Sequence, residues 1–490
     1  MMLVMTSLLP VSLRADVTLP KVLASHMVVQ RGLPVHVWGW AAAGESVAVS
    51  FRGESDGTTA DELGRWSVYL RPGAAGGPFE LTVKGSNSVT LTDVLVGDVW
   101  VAGGQSNMEF EMRKAATAAV DLPKAANERI RLMIVSRKAA DYPLADAEVT
   151  AGWSDSTPET AKEFSAVGWY FAREITQAEN VPVGVIDSTW GGTVADAWTS
   201  LTALGADASL MPVFLARGHM TEREATGLME EKLHEQARAE AKTAGKPEPQ
   251  FPWHPQLNTW APAMLWNGMI APLTPFPIRG VIWYQGESNS KLVRAPLYGR
   301  VFRTMIEDWR REWGAGDFPF LYVQISNFRS NAEEDWAALR EQQRRTLELS
   351  NTAMAVTIDI GNPDNVHPTD KVDVGVRLAL AARALSYGED ISYSGPMFRQ
   401  ATPEGSAIRV WFDHHAKGLV AKDGALTAFE VAGLDGKFVA ATATIDGNTV
   451  VATSPTVAEP VYVRYGWANS PECNLFNGAG LPASPFTSVP

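Results

Sequence analysis

A chain of 490 residues, 46% hydrophobic and 20% charged, holds enough apolar sequence for several packed domains and needs neither disulfides nor metals to stabilise them. Its formal charge of -13 argues against nucleic acid as a partner, because counterion release needs a Lys/Arg surface. The single cysteine, Cys473, excludes an internal disulfide, and beyond the first residues no apolar run approaches the roughly 18 residues of a membrane span.

In chain order, residues 1–15 are apolar and end in the small residue Ala15, like the hydrophobic part and cleavage site of a signal peptide, although no basic segment precedes them. They carry the expectation of a periplasmic or secreted protein. Residues 16–95 read as all-β. Short runs at 35–40, 46–51, 66–70 and 79–83, several with period-two alternation, are separated by Gly, Pro and Asp clusters. This pattern predicts an N-terminal β-sandwich.

From 96 to 390 strands alternate with helices. Predicted strands lie at 98–102, 131–135, 183–187, 280–284, 320–325 and 354–358. Val301, Met305, Trp309 and Trp313 repeat at i, i+4, and 374–385 is a second apolar helical pattern. The implied fold class is α/β, with a parallel sheet covered by helices on both faces. A charged Ala/Glu/Lys-rich stretch interrupts the alternation and predicts a helical insertion at about 205–255. Residues 391–490 return to short strands and predict a C-terminal β domain.

Ligands of such sheets bind beyond the carboxyl ends of the strands. Four polar, glycine-containing loops belong there. The first is Gly103-Gly-Gln-Ser106, where two glycines end a strand and Asn107–Met112 has helical character. On its own Ser106 reads more readily as a helix cap than as a nucleophile. The second loop contains Trp190, Gly191 and Gly192, the third runs from Gln285 through Glu287 to Asn289, and the fourth carries Asp364 and His367. Together they hold the parts of an acyl-transfer site: Ser106 as nucleophile, His367 as base, Asp364 or Glu287 to orient the imidazole. The N–H groups of Ser106, Gly191 and Gly192, with an amide of Gln285 or Asn289, are the candidate oxyanion donors. Asn107, Trp190 and Glu287 are candidate substrate contacts. None of the other seven histidines forms an HExxH or a close His/Asp cluster, and no P-loop or GxGxxG follows a strand, so neither a metal nor any other cofactor is expected.

Gly103–Met108, Trp283–Asn289 and the Asp364-x-x-His367 loop together resemble the SGNH-type esterases, and among them the sialate O-acetylesterase-like carbohydrate esterases. Residues 17–40 and the segments 465–470 and 480–485 are similar to that group as well. The resemblance implies a flavodoxin-like SGNH hydrolase core flanked by β domains, and a Ser-His-Asp triad that removes acetyl groups from sugar hydroxyls without a cofactor. It implies Ser106, His367 and Asp364 for the triad, and the Gly191–Gly192 and Gln285–Asn289 loops for the oxyanion site. The usual third block is Gly-x-Asn, and here it is Gln-Gly-Glu-Ser-Asn. The substrate expected is an acetylated glycan: a plant cell-wall polysaccharide of xylan, xyloglucan or mannan type, or an O-acetylated sialic acid. A carbohydrate-binding protein with a degenerate hydrolase core is the alternative from another class.

Overall fold

The computed structural model describes residues 16–249, 251 and 257–489, so the expected leader at 1–15 lies outside the described residues. Strands β1 (Val28–Gln30), β2 (Val35–Trp40), β3 (Ser46–Phe51), β4 (Glu54–Thr59), β5 (Arg65–Leu70) and β6 (Gly76–Lys84) build the N-terminal β region. β3 and β5 alternate strictly between exposed and buried, as one-sided strands must.

The next strand departs from the expected domain boundary at residue 95. β7 (Ser88–Gly104) runs 17 residues without a break. Its first half pairs with β6 and β1, and its second half with core strands. From Val94 onward every residue is buried, because this half is covered on both faces. One continuous hydrophobic cluster, from Val17 to Met397, therefore serves the N-terminal region and the α/β core together.

The remaining core strands are β8 (Asn127–Val135), β9 (Val149–Ser156), β10 (Val183–Thr189), β11 (Gly280–Tyr284), β12 (Phe320–Val323) and β13 (Thr352–Ala355). The order is β13-β12-β11-β7-β10-β8-β9, parallel except for the antiparallel edge strand β9. The helices that matter for the site are α1 (Ser106–Glu109), α2 (Ala166–Glu179), α3 (Met211–Thr243), α4 (Ala295–Trp313), α5 (Trp336–Arg345) and α6 (Val372–Tyr387). α2 packs beside α6, and α4 beside α5. Both faces of the sheet are closed by aromatic contacts. Trp100 meets Phe171 of α2 edge-on at 5.0 Å on one face, and Trp283 meets Trp309 of α4 at 5.6 Å on the other. The i, i+4 row of α4 is buried as its spacing demands. The insertion begins with the 33-residue α3.

After residue 397 two four-stranded antiparallel sheets enclose a separate hydrophobic cluster. This C-terminal domain is tied to α5 and β12. Asn469 Oδ1 accepts from Trp336 N at 3.0 Å, and Gln324 Nε2 donates to Ser484 Oγ at 2.9 Å. Arg340, fully buried, donates to the carbonyl of Ala468.

Candidate active site

The chain crosses from β10 and β8 on one side of β7 to β11 on the other, so β7 stands where the strand order reverses. Such a reversal is where ligands of open α/β sheets bind, beyond the carboxyl end of the strand. Gly104 closes that end at φ 131°, and a Cβ there would lie 2.2 Å from the carbonyl of Tyr284, so glycine is required. Gln105 N then donates to Tyr284 O at 3.0 Å, and Ser106 begins α1. α1 is one turn long, shorter than the helical character of 107–112 predicts, so a helix dipole adds little here. What remains is the N–H of Ser106 at the helix start, which meets no acceptor among the described residues.

Ser106 Oγ lies 2.8 Å from His367 Nε2, across 261 residues of sequence. The base arrives on the loop between β13 and α6. That loop is shaped by two Asx turns: Asn362 Oδ1 accepts from Asp364 N at 2.9 Å, and Asn365 Oδ1 accepts from His367 N at 2.9 Å. Serine and histidine are thus brought together as the loops predict.

The carboxylate expected to complete the set is not brought in. Asp364 is turned outward by its Asx turn, is 74% exposed, and pairs with Arg329 at 2.6 Å. No described residue accepts a hydrogen bond from His367 Nδ1. Glu287, the other candidate, does not reach the ring either. Its Oε1 accepts from Asn107 Nδ2 at 2.6 Å, and its Oε2 is buried without a hydrogen-bond partner among the described residues.

The donors separate in the same way. A Cβ on Gly191 would stand 3.2 Å from Ser106 Cβ, so this glycine lies directly against the nucleophile. Its N–H, however, donates to the carboxylate of Glu109, which Arg137 pairs from the other side. Gly192 adopts φ 73°, and its neighbour Trp190 is partly exposed and anchored through its N–H to Gly104 O at 3.1 Å. Gln285 is fully buried and its amide nitrogen is engaged by Gln105 Oε1, Thr193 O and Asn289 Oδ1 at 3.2, 3.1 and 2.7 Å. Asn289 Oδ1 accepts from that amide and from Ala195 N at 2.9 Å, which leaves Nδ2 as the side chain's uncommitted donor.

Beneath these loops Lys371, fully buried, donates to Asn107 Oδ1 at 2.6 Å. Burial brings its ammonium down to about 7, opposed by the charge of Glu287. Burial raises the carboxyl of Glu287 above the usual range, against the hydrogen bond from Asn107. His367 is lowered from 6.5, first by burial and then by the charges of Lys371 and Lys114. A lowered imidazole is neutral over a wider pH range and available as a base. Asp187, buried at the end of β10, is raised to about 7 chiefly by burial.

Four of these residues carry no sequence signal beyond position. Gln105, next to Ser106, gathers three donors on Oε1, from Gln285, Gly286 and Ser288. Glu109 and Arg137 read as ordinary surface charges. Lys371 follows His367 by one helical turn in a polar stretch. Elsewhere, His26, Asp93 and Asp155 come close enough to share a cation, and the cation they share is the Arg131 guanidinium.

A family model described as carbohydrate esterase, sialic acid-specific acetylesterase matches residues 255–385. The sialate O-acetylesterase of Rattus norvegicus is 30% identical over 92% of this chain and 90% of its own length. The chain belongs to the sialate O-acetylesterase-like carbohydrate esterases. The human member of this family is likewise 30% identical, over 92% of this chain and 88% of its own. A carbohydrate acetylesterase from Xanthomonas citri superposes with a TM-score of 0.84 at 40% identity, covering 96% of this chain and 99% of that one. The protein is therefore an esterase, with the family's α/β architecture and flanking antiparallel sheets. The matched segment contains the Gln285–Asn289 loop, His367 and Lys371, and the longer alignments take in most of the chain.

Proposed function

We propose that this esterase removes O-acetyl groups from sugar hydroxyls through an acyl-serine on Ser106, in an SGNH-type hydrolase core. The observation that carries the reading is the 2.8 Å contact between Ser106 Oγ and His367 Nε2. Ser106 Oγ attacks the acetyl carbonyl while His367 Nε2 takes its proton. The oxyanion rests on the Ser106 N–H and on Asn289 Nδ2, whose carbonyl end is held by Gln285 and Ala195. The Gly191 N–H joins them when the Glu109 carboxylate moves aside. His367 then returns the proton to the sugar oxygen, which departs. Water, deprotonated by the same nitrogen, attacks the acyl-serine, and the imidazolium returns that proton to Ser106 Oγ as the C–Oγ bond breaks and acetate is released. Each step uses a group of this chain, with a Ser–His pair in place of the full triad.

For substrate we favour neutral acetylated glycans of the plant cell-wall type over sialic acids. The solvent-exposed cations Arg137, Lys114 and Arg329 are already matched by Glu109, Glu111 and Asp364. A sugar carboxylate would have to displace one of them. Released acetate from acetylated xylan, xyloglucan, mannan and sialic acid decides between these substrates. The apolar segment 1–15 supports export, which fractionation of cells expressing the full chain tests.

Ser106→Ala should lower hydrolysis of an aryl acetate by on the order of 10⁴-fold, and a fluorophosphonate should label Ser106 alone. Near-normal turnover in that variant would remove Ser106 from the reaction. Absence of labelling in the folded wild type would favour a glycan-binding protein without esterase chemistry at this site.

A further inference from the structure

Lys371 has no part in the hydrolysis steps above, yet its position is costly. It is fully buried, and it stands at the amino end of the 16-residue helix α6, where the helix dipole disfavours a cation. Three features hold it. Asn107 Oδ1 accepts from Nζ at 2.6 Å, and the rings of Phe110 and Tyr284 lie 4.8 and 5.3 Å from the ammonium. Across Asn107 is the buried carboxylate of Glu287.

Asn107 is the junction. Its Nδ2 donates to Glu287 Oε1 at 2.6 Å and to the carbonyl of Val366 at 2.9 Å, while its Oδ1 accepts a hydrogen bond from Lys371 Nζ. Asn107 is covalently joined to Ser106, and Val366 to His367. The amide therefore clamps the backbone on both sides of the serine–histidine contact. The clamp matters more here because no carboxylate holds the imidazole from Nδ1.

We propose that Lys371 is a positioning residue for ester hydrolysis, fixing the Asn107 amide and through it the Val366–His367 backbone against the Ser106 turn. The proposal rests on the reading of Ser106 and His367 as nucleophile and base. The ammonium also acts through space. It opposes protonation of His367, as Lys114 does from the outer side, where Glu111 partly offsets it. Asp364 is turned to Arg329, and the groups that face Lys371 are Glu287 and Asp370.

The test is the pH profile of kcat/KM for an aryl acetate in Lys371→Met and Lys371→Gln, two uncharged variants of which the second keeps a polar end should the first not fold. Removing the charge should move the acid limb upward by about one pH unit and lower kcat by roughly 10-fold or more, with KM within about twofold of wild type. Lys371→Arg should return the limb to its wild-type position. An acid limb that stays in place in the folded uncharged variants overturns the proposal, whatever happens to kcat or melting temperature. Ser106→Ala is measured alongside. If it remains active, the nucleophile assignment has failed. If it is inactive while the Lys371 variants keep the wild-type limb, only the positioning role has failed.

Discussion

At Gly191 one added carbon would stand 3.2 Å from Ser106 Cβ and 3.1 Å from the Glu109 carboxylate. Neither neighbour can retreat without shifting the nucleophile or the Arg137 pair. Gly191→Ala should therefore lower kcat by roughly 10- to 100-fold while the melting temperature changes little, because the strain falls on the site and not on the core. Asp364 gives the opposite expectation. Its ion pair is solvent-exposed, and such pairs contribute about 1 kcal/mol or less. Asp364→Asn should change kcat by less than about fivefold. Glu287→Gln should cost more, since it alters the buried partner of Asn107. A larger loss in the Asp364 variant would show that this carboxylate reaches His367 during turnover. The sign of the pH dependence follows from His367. The base is inactive when protonated, and its titration is lowered by burial and by Lys371. The acid limb of kcat/KM should therefore fall below 6.5, and a limb above that value would contradict the buried setting.

At the scale of elements, the site is built by strand ends. Period and composition were enough to find the carboxyl half of β7, and β10 and β11, because buried parallel strands are short apolar runs bounded by turn residues. The four loops that follow were legible for the same reason, and the rule that ligands gather at the carboxyl edge put Ser106 and His367 together. The direction of each side chain within a loop was not legible. Asp364 and Asn365 lie side by side before His367, and only the backbone turns decide that Asn365 faces inward to His367 N while Asp364 faces Arg329. Lys371 was hidden because a lysine in a polar stretch reads as solvated. Its burial depends on Asn107 and Glu287, far away in sequence. Gly104 offers a check on how the strand end is made. Gly104→Ala would drive a Cβ against Tyr284 O, and it should destabilise the fold by about 3 kcal/mol or more, seen as a lowered denaturation midpoint.

For the whole molecule, the two hydrophobic clusters divide the chain differently from its composition. Composition separates residues 16–95 from the core, yet both belong to one cluster, and only the C-terminal domain has its own. Thermal unfolding should show the N-terminal region and the α/β core melting together, and calorimetry that resolves them would contradict the shared cluster. Asp98 is a polar tie between them. Fully buried on β7, it accepts from both Nε and Nη2 of Arg31 at 2.9 and 2.8 Å, from Gln30 at 3.1 Å and from Tyr387 at 2.9 Å. Asp98→Ala would leave these donors unmatched and should cost about 3–5 kcal/mol.

The 17-residue strand β7 also limits how this esterase can be trimmed. A minimal catalytic fragment cut at the compositional boundary would start in mid-strand, lose β1 and β6, and expose the apolar surface that the core shares with them. Such a fragment should aggregate. The shortest soluble enzyme therefore has to retain the N-terminal strands, and grafting this site onto another scaffold means transplanting them with it.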